Sequence, residues 1–124
     1  MKMRFQGSTL RLRLRQSEVK RLMLQGEVRE EVQFGESTLV YSLLLDDEVG
    51  VALAGIIGHE VSVRLPRSLG EAWANGPEVS ISSTGVLPTV LIEKDFVRTA
   101  VEERDDFDRF TNPRSGRKPP ERPQ

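Results

Sequence analysis

The feature that most constrains this chain is a strict alternation near its start. Met3 and Phe5 alternate with Lys2, Arg4 and Gln6, and Leu10, Leu12 and Leu14 alternate with Arg11, Arg13 and Arg15. A period of two places every apolar side chain on one face of an extended strand and every charge on the other. Gly7-Ser8 separates the two runs. Glycine at the first central position fits a two-residue type II′ turn, whose twist matches that of the flanking strands. The segment reads as a hairpin with one face to bury and one cationic face.

The pattern returns 51 residues later. Gly7 falls on Gly58, Arg13 on Arg64, Leu14 on Leu65, Ser17 on Ser68, Glu27 on Glu78, Val28 on Val79 and Thr38 on Thr89. Gly58-His59 then serves as the turn of a second hairpin, between Val51–Ile57 and Glu60–Leu65. A helix follows each hairpin. Val19, Leu22 and Met23 form an i, i+3, i+4 stripe, with Ser17 as the expected N-cap and Gly26 as the stop. Leu69, Ala72 and Trp73 repeat that stripe, with Pro66 near the helix start and Asn75-Gly76 at its end. Two further strands follow each helix, about 27–34 and 38–45, then about 78–82 and 89–96.

The fold class expected is α+β, mainly β, built by internal duplication of a ββαββ unit. Repeat one covers about 2–47 and repeat two about 51–97, within one domain over 1–101. Eight strands in so short a chain predict a small barrel-like domain, because closure removes exposed sheet edges. Residues 102–124 contribute only Phe107 and Phe110 to the apolar count and end in a Pro-rich run, which predicts a disordered C-terminal tail.

Composition excludes several classes of function. There is no cysteine, so disulfides, thiolate nucleophiles and the common structural zinc sites are out. His59 is the single histidine and sits in a turn. No metal or other cofactor is expected. A formal net charge of −1 argues against strong non-specific attraction to nucleic acid and leaves room for a local basic face. The longest apolar run, Val49 to Ile57, is far short of the ~20 residues a membrane helix needs. A cytoplasmic protein with no membrane partner is the expectation.

Two resemblances follow from these residues. The run Val61-Ser62-Val63-Arg64-Leu65-Pro66-Arg67-Ser68-Leu69 through Trp73, Gly76, Glu78-Val79 and Thr89-Val90-Leu91-Ile92 resembles the swapped-hairpin domains of the AbrB, MazE and MraZ kind. That likeness covers about residues 2–96 as a pseudo-dimer and implies DNA binding through basic residues on a strand-loop face. Repeat two departs from it, offering mainly Arg64 and Arg67. The whole chain also resembles a family of small bacterial proteins of unknown function. Leu10-Arg11-Leu12-Arg13-Leu14 before Ser17-Glu18-Val19, and Glu93-Lys94-Asp95-Phe96, carry this closer likeness, which implies no activity.

The candidate contact site is the cationic hairpin. With Gly7-Ser8 as the turn, Arg4 faces Arg11 and Lys2 faces Arg13, so Lys2, Arg4, Arg11, Arg13 and Arg15 share one face. Like charges directly opposite one another cost stability, and a polyanion such as nucleic acid would relieve them. Two other arrangements would do the same. Glu27, Glu30 and Glu31 of the next strand would form solvated ion pairs with the arginines. Alternatively the charges would line the interior of a barrel that handles phosphate or triphosphate, although Lys2, Arg4 and Gln6 stand where such a site needs carboxylates.

No catalytic residue is assigned. Asp46-Asp47-Glu48 reads as the solvated junction between the repeats. The second hairpin is apolar on both faces over Val51–Ile57, so it is buried either within the monomer or in a homodimer contact through Leu53 and Ile57. The function expected is a non-catalytic interaction module. A nucleic-acid-contacting regulator is its leading form, and a structural partner-binding protein the alternative.

Overall fold

Each expected strand and helix forms. The structure is a computed structural model that describes residues 1–96. The elements are β1 (Lys2–Gln6), β2 (Thr9–Leu14), α1 (Gln16–Gln25), β3 (Glu27–Phe34), β4 (Ser37–Asp46), β5 (Leu53–Ile57), β6 (Glu60–Pro66), α2 (Arg67–Asn75), β7 (Ser80–Ser83) and β8 (Thr89–Lys94). The tail expected over 102–124, and the end of the domain expected at 101, lie outside the described residues.

Local chemistry sets the boundaries. Gly7, Gly35 and Gly58 each open a two-residue turn with φ between 56° and 58°, and among the described residues no non-glycine residue has positive φ. That combination is what a type II′ turn requires. Helix α1 starts at Gln16, ahead of the expected Ser17 cap: Arg15 is the N-cap, and the Glu18 carboxylate accepts its backbone N–H at 2.9 Å. The acidic N3 residue supplies the reciprocal half of a capping box, so no hydroxyl is needed. At the other end Gly26 takes φ 79° and donates its N–H to the Leu22 carbonyl at 2.8 Å.

The strands form two sheets of four, ordered β1-β2-β8-β7 and β3-β4-β6-β5. The outer pairs are antiparallel hairpins; the central pairs, β2 with β8 and β4 with β6, are parallel. Each sheet therefore joins a hairpin from the first half of the chain to one from the second. The barrel does not form. Among the described residues no strand pairs across the sheets, so β1, β7, β3 and β5 remain edges. A charge-lined interior is ruled out with it, because the inward faces carry Leu10, Leu12, Leu14, Val90 and Ile92 against Val28, Leu43, Val61, Val63 and Leu65, all buried in one core.

Helix α2 is rotated from the expected stripe. Gly70 and Trp73 face the core, while Leu69 is 43% exposed and Ala72 lies outside. Glycine is what allows it: a Cβ on Gly70 would lie 2.7 Å from Leu45 Cδ2. Trp73 is fully buried as expected, and its indole N–H donates to the Val79 carbonyl at 3.1 Å.

The single shift of 51 holds for the first hairpins and fails after the helices. Thr9 pairs with Thr89, so an undisturbed shift would set Glu60 against Thr38, yet Glu60 lies opposite Val40. Val28 is fully buried while Val79 is half exposed.

Candidate functional site

The cationic face lies on the outside of the first sheet. Pairing is as expected: Lys2 opposite Arg13, Arg4 opposite Arg11 and Gln6 opposite Thr9. The parallel partner β8 adds Thr89, Leu91 and Glu93 to the same face, with Glu93 opposite Arg13. This neighbour was not foreseen. Arg11 Nε lies 3.1 Å and Arg13 Nε 3.6 Å from the same oxygen, Glu93 Oε1. That oxygen is sealed from solvent and accepts no well-aligned hydrogen bond, so the two guanidinium groups hold it by charge.

The expected carboxylates do other work. Glu27 and Glu31 reach none of the arginines, and Glu30 points to the chain's amino group. Lys2 Nζ stands 3.8 Å from Asp95 Oδ2, an exposed contact of little energetic weight. Arg4 and Arg15 have no carboxylate within ion-pair distance among the described residues. Arg15 leaves the strand to cap α1, so four of the five expected cations share the flat face and the fifth stands at its end.

At that end is a cleft of ≈ 310 Å³ lined by Met1, Lys2, Arg13, Arg15, Glu18, Glu30 and Asp95. Its floor is a polar cluster. The Met1 ammonium contacts Glu18 and lies 3.2 Å from Glu30 Oε1, and the Tyr41 hydroxyl donates to the Met1 carbonyl at 3.0 Å. Burial, and secondarily the charge of Glu30, raises the Tyr41 phenol above its ordinary pKa. Cations and carboxylates together line this cleft, so it has no single sign to offer a ligand.

A second cleft, of ≈ 240 Å³, lies between Asp46, Asp47, Val49, Pro66, Arg67, Ser68 and Glu71. Arg67 Nε holds Asp47 at 2.8 Å and Arg64 approaches Asp46 at 3.7 Å. The acidic junction is thus tied to the start of α2. No group of three or more metal-ligating side chains occurs among the described residues.

Leu53 and Ile57 lie on the outer face of the second sheet, on edge strand β5. Of the two alternatives for this strand, burial within the monomer holds only in part: Ala52 is fully buried and Leu53 and Ala54 half-buried, while Ile56 is 75% and Ile57 83% exposed. Glu93 and Asp95 are the residues sequence reasoning missed. Nothing local in the sequence names the strand that lies beside them.

The fold and face define a two-sheet α+β protein whose polar outer surface concentrates charge on one hairpin. The chain belongs to a family of unknown function, DUF7009, whose model matches residues 1–114. No curated protein and no solved structure matches it. No helix among the described residues is long and apolar enough to cross a membrane.

Proposed function

We propose that this chain is a non-catalytic, cytoplasmic interaction module that contacts a polyanion, nucleic acid in the first instance, through the outer face of β1–β2. The observation that carries the reading is the arrangement of Lys2, Arg4, Arg11 and Arg13 on one flat, outward surface, with Arg15 at its end. The four cations of the strand face meet two carboxylates, Glu93 and Asp95, which leaves a positive excess of two (4 − 2) on a chain whose net charge is −1, while Arg15 shares the end cleft with Glu18 and Glu30. Arginine side chains in such a row make forked contacts to phosphate.

The reading includes an origin by duplication, as a fused pseudo-dimer of swapped-hairpin type. Its support is topological: exchanging the two halves of the chain turns the order β1-β2-β8-β7 into β5-β6-β4-β3. Binding to duplex DNA across a salt series tests the proposal. Affinity that falls steeply with salt, and falls again in Arg4→Ala, is the expected result. Absence of binding at low salt, or a flat slope, overturns it.

One observation favours a second reading, a structural partner-binding protein. Arg11 and Arg13 already share Glu93, so part of the face is internally neutralised. In that case the protein shows no affinity for DNA, and the arginine-to-glutamate contacts serve stability alone.

A further inference from the structure

We infer that edge strand β5 is a self-association site, through which a second copy of the chain pairs antiparallel about a two-fold axis at Gly55. An open sheet edge presents unpaired N–H and C=O groups and invites another strand unless it is blunted. Three of the four edges here are blunted. β1 carries Lys2 and Arg4, β3 carries Glu27, Arg29, Glu30 and Glu31, and β7 is four residues long with one apolar side chain, Ile81. β5 is Leu53-Ala54-Gly55-Ile56-Ile57, with no charge and no proline. Among the described residues its only sheet neighbour is β6.

The register follows from the hairpin. Ile57 pairs with Glu60 across the two-residue turn, so Ile57, Gly55 and Leu53 direct their backbone hydrogen bonds to β6. The N–H and C=O groups of Ala54 and Ile56 then point to the free edge. A two-fold axis at Gly55 lets Ala54 exchange two hydrogen bonds with the partner's Ile56, and Ile56 two with the partner's Ala54. The glycines form the central, non-hydrogen-bonded pair, where strands approach most closely.

The side chains fit a second copy better than another strand. On one face Ile56, 75% exposed, meets the partner's Ala54, large against small. On the other, Ile57 meets the partner's Leu53, two apolar side chains directly opposed. Each outer row then begins at Glu60 of one protomer and ends at the partner's Arg64, since these flank Ile57 and Leu53 on β6. Parallel pairing would instead bring like charges to both ends. The contact is small, so the dimer is a weak one that forms reversibly with concentration.

Gly55 provides the test, because a Cβ built on it meets nothing within 4 Å in the monomer and its φ is not positive. Sedimentation velocity of the full chain, run up to millimolar concentration, is expected to show a weight-average mass rising toward twice the monomer value. Gly55→Lys and Gly55→Glu alone remain monomeric, since each sets like charges against one another on the axis. An equimolar mixture of the two recovers association. In the wild-type chain the Ala54 and Ile56 amides gain exchange protection with concentration, a readout independent of any variant. A wild-type chain that stays monomeric throughout, single variants that associate like it, or a mixture that fails to recover overturns the inference.

Discussion

The Glu93 carboxylate of β8 stands 3.1 Å from the Arg11 guanidinium of β2, and Arg13 approaches the same oxygen at 3.6 Å. One carboxylate thus relieves two like charges that lie two residues apart on one strand face. Its removal separates the two roles open to the hairpin. Glu93→Gln leaves two partly buried arginines without their counter-charge and is expected to lower stability by about 0.5–1.5 kcal/mol. It also raises the positive excess of the face. DNA affinity measured at fixed low salt is expected to rise in this variant if the face binds phosphate, and to stay absent if the face is structural.

How much of this was legible in the sequence divides along a physical line. Local chemistry was readable: alternation, turn glycines and helix stops gave every element, and the β1–β2 register came out residue for residue. Long-range pairing was not. Leu14 and Asp95 become hydrogen-bonded neighbours, although no local preference names a partner 81 residues away (95 − 14). The barrel expectation rested on the cost of open edges, and the chain manages most of that cost by charge and by short strands instead. The cationic site was legible as a face, while its counter-ions were hidden by the same ignorance of which strands meet.

Gly70 sets how closely α2 lies on the second sheet. A methyl group there would meet Leu45 Cδ2 at 2.7 Å and Leu65 Cδ2 at 3.1 Å. Alanine gains about 1 kcal/mol of helix propensity and loses about 1–3 kcal/mol to overpacking. Both neighbours are side-chain ends with some room to turn, so Gly70→Ala is expected to be destabilising by about 1 kcal/mol net in urea unfolding. Gly76→Ala is expected to cost more, because its Cβ would sit 2.6 Å from the Ala72 carbonyl oxygen, an atom of the backbone.

Trp73 joins α2 to the first sheet. It is fully buried, donates to the Val79 carbonyl, and carries Lys94 Nζ 5.8 Å from its ring centroid while that ammonium donates to the Gly76 carbonyl. Trp73→Ala removes the largest side chain of the core and is expected to cost about 3–5 kcal/mol. Trp73→Phe keeps most of the volume and removes one of two donors to the Val79 carbonyl, which still accepts from the Lys94 N–H at 3.0 Å, so the loss is that of one hydrogen bond, about 0.5–1.5 kcal/mol. Chemical denaturation followed by circular dichroism orders the three proteins; equal midpoints would contradict the placement of the indole.

Tyr41 gives the pH dependence. Burial first, and Glu30 second, raise its phenol above the ordinary value of 10.0. The neutral phenol, which donates to the Met1 carbonyl, is the form the fold favours. Unfolding releases that constraint, so the stability due to this preference is fully present below the ordinary tyrosine range and is lost as pH rises through the folded-state value. The chain has one tyrosine, so tyrosinate absorbance in an alkaline titration reports this residue alone. The folded midpoint is expected above that of the urea-unfolded chain. Glu30→Gln is expected to move it partway down, since the charge goes and the burial stays. A folded midpoint at or below the unfolded one would contradict the packing of Tyr41 against the start of the chain.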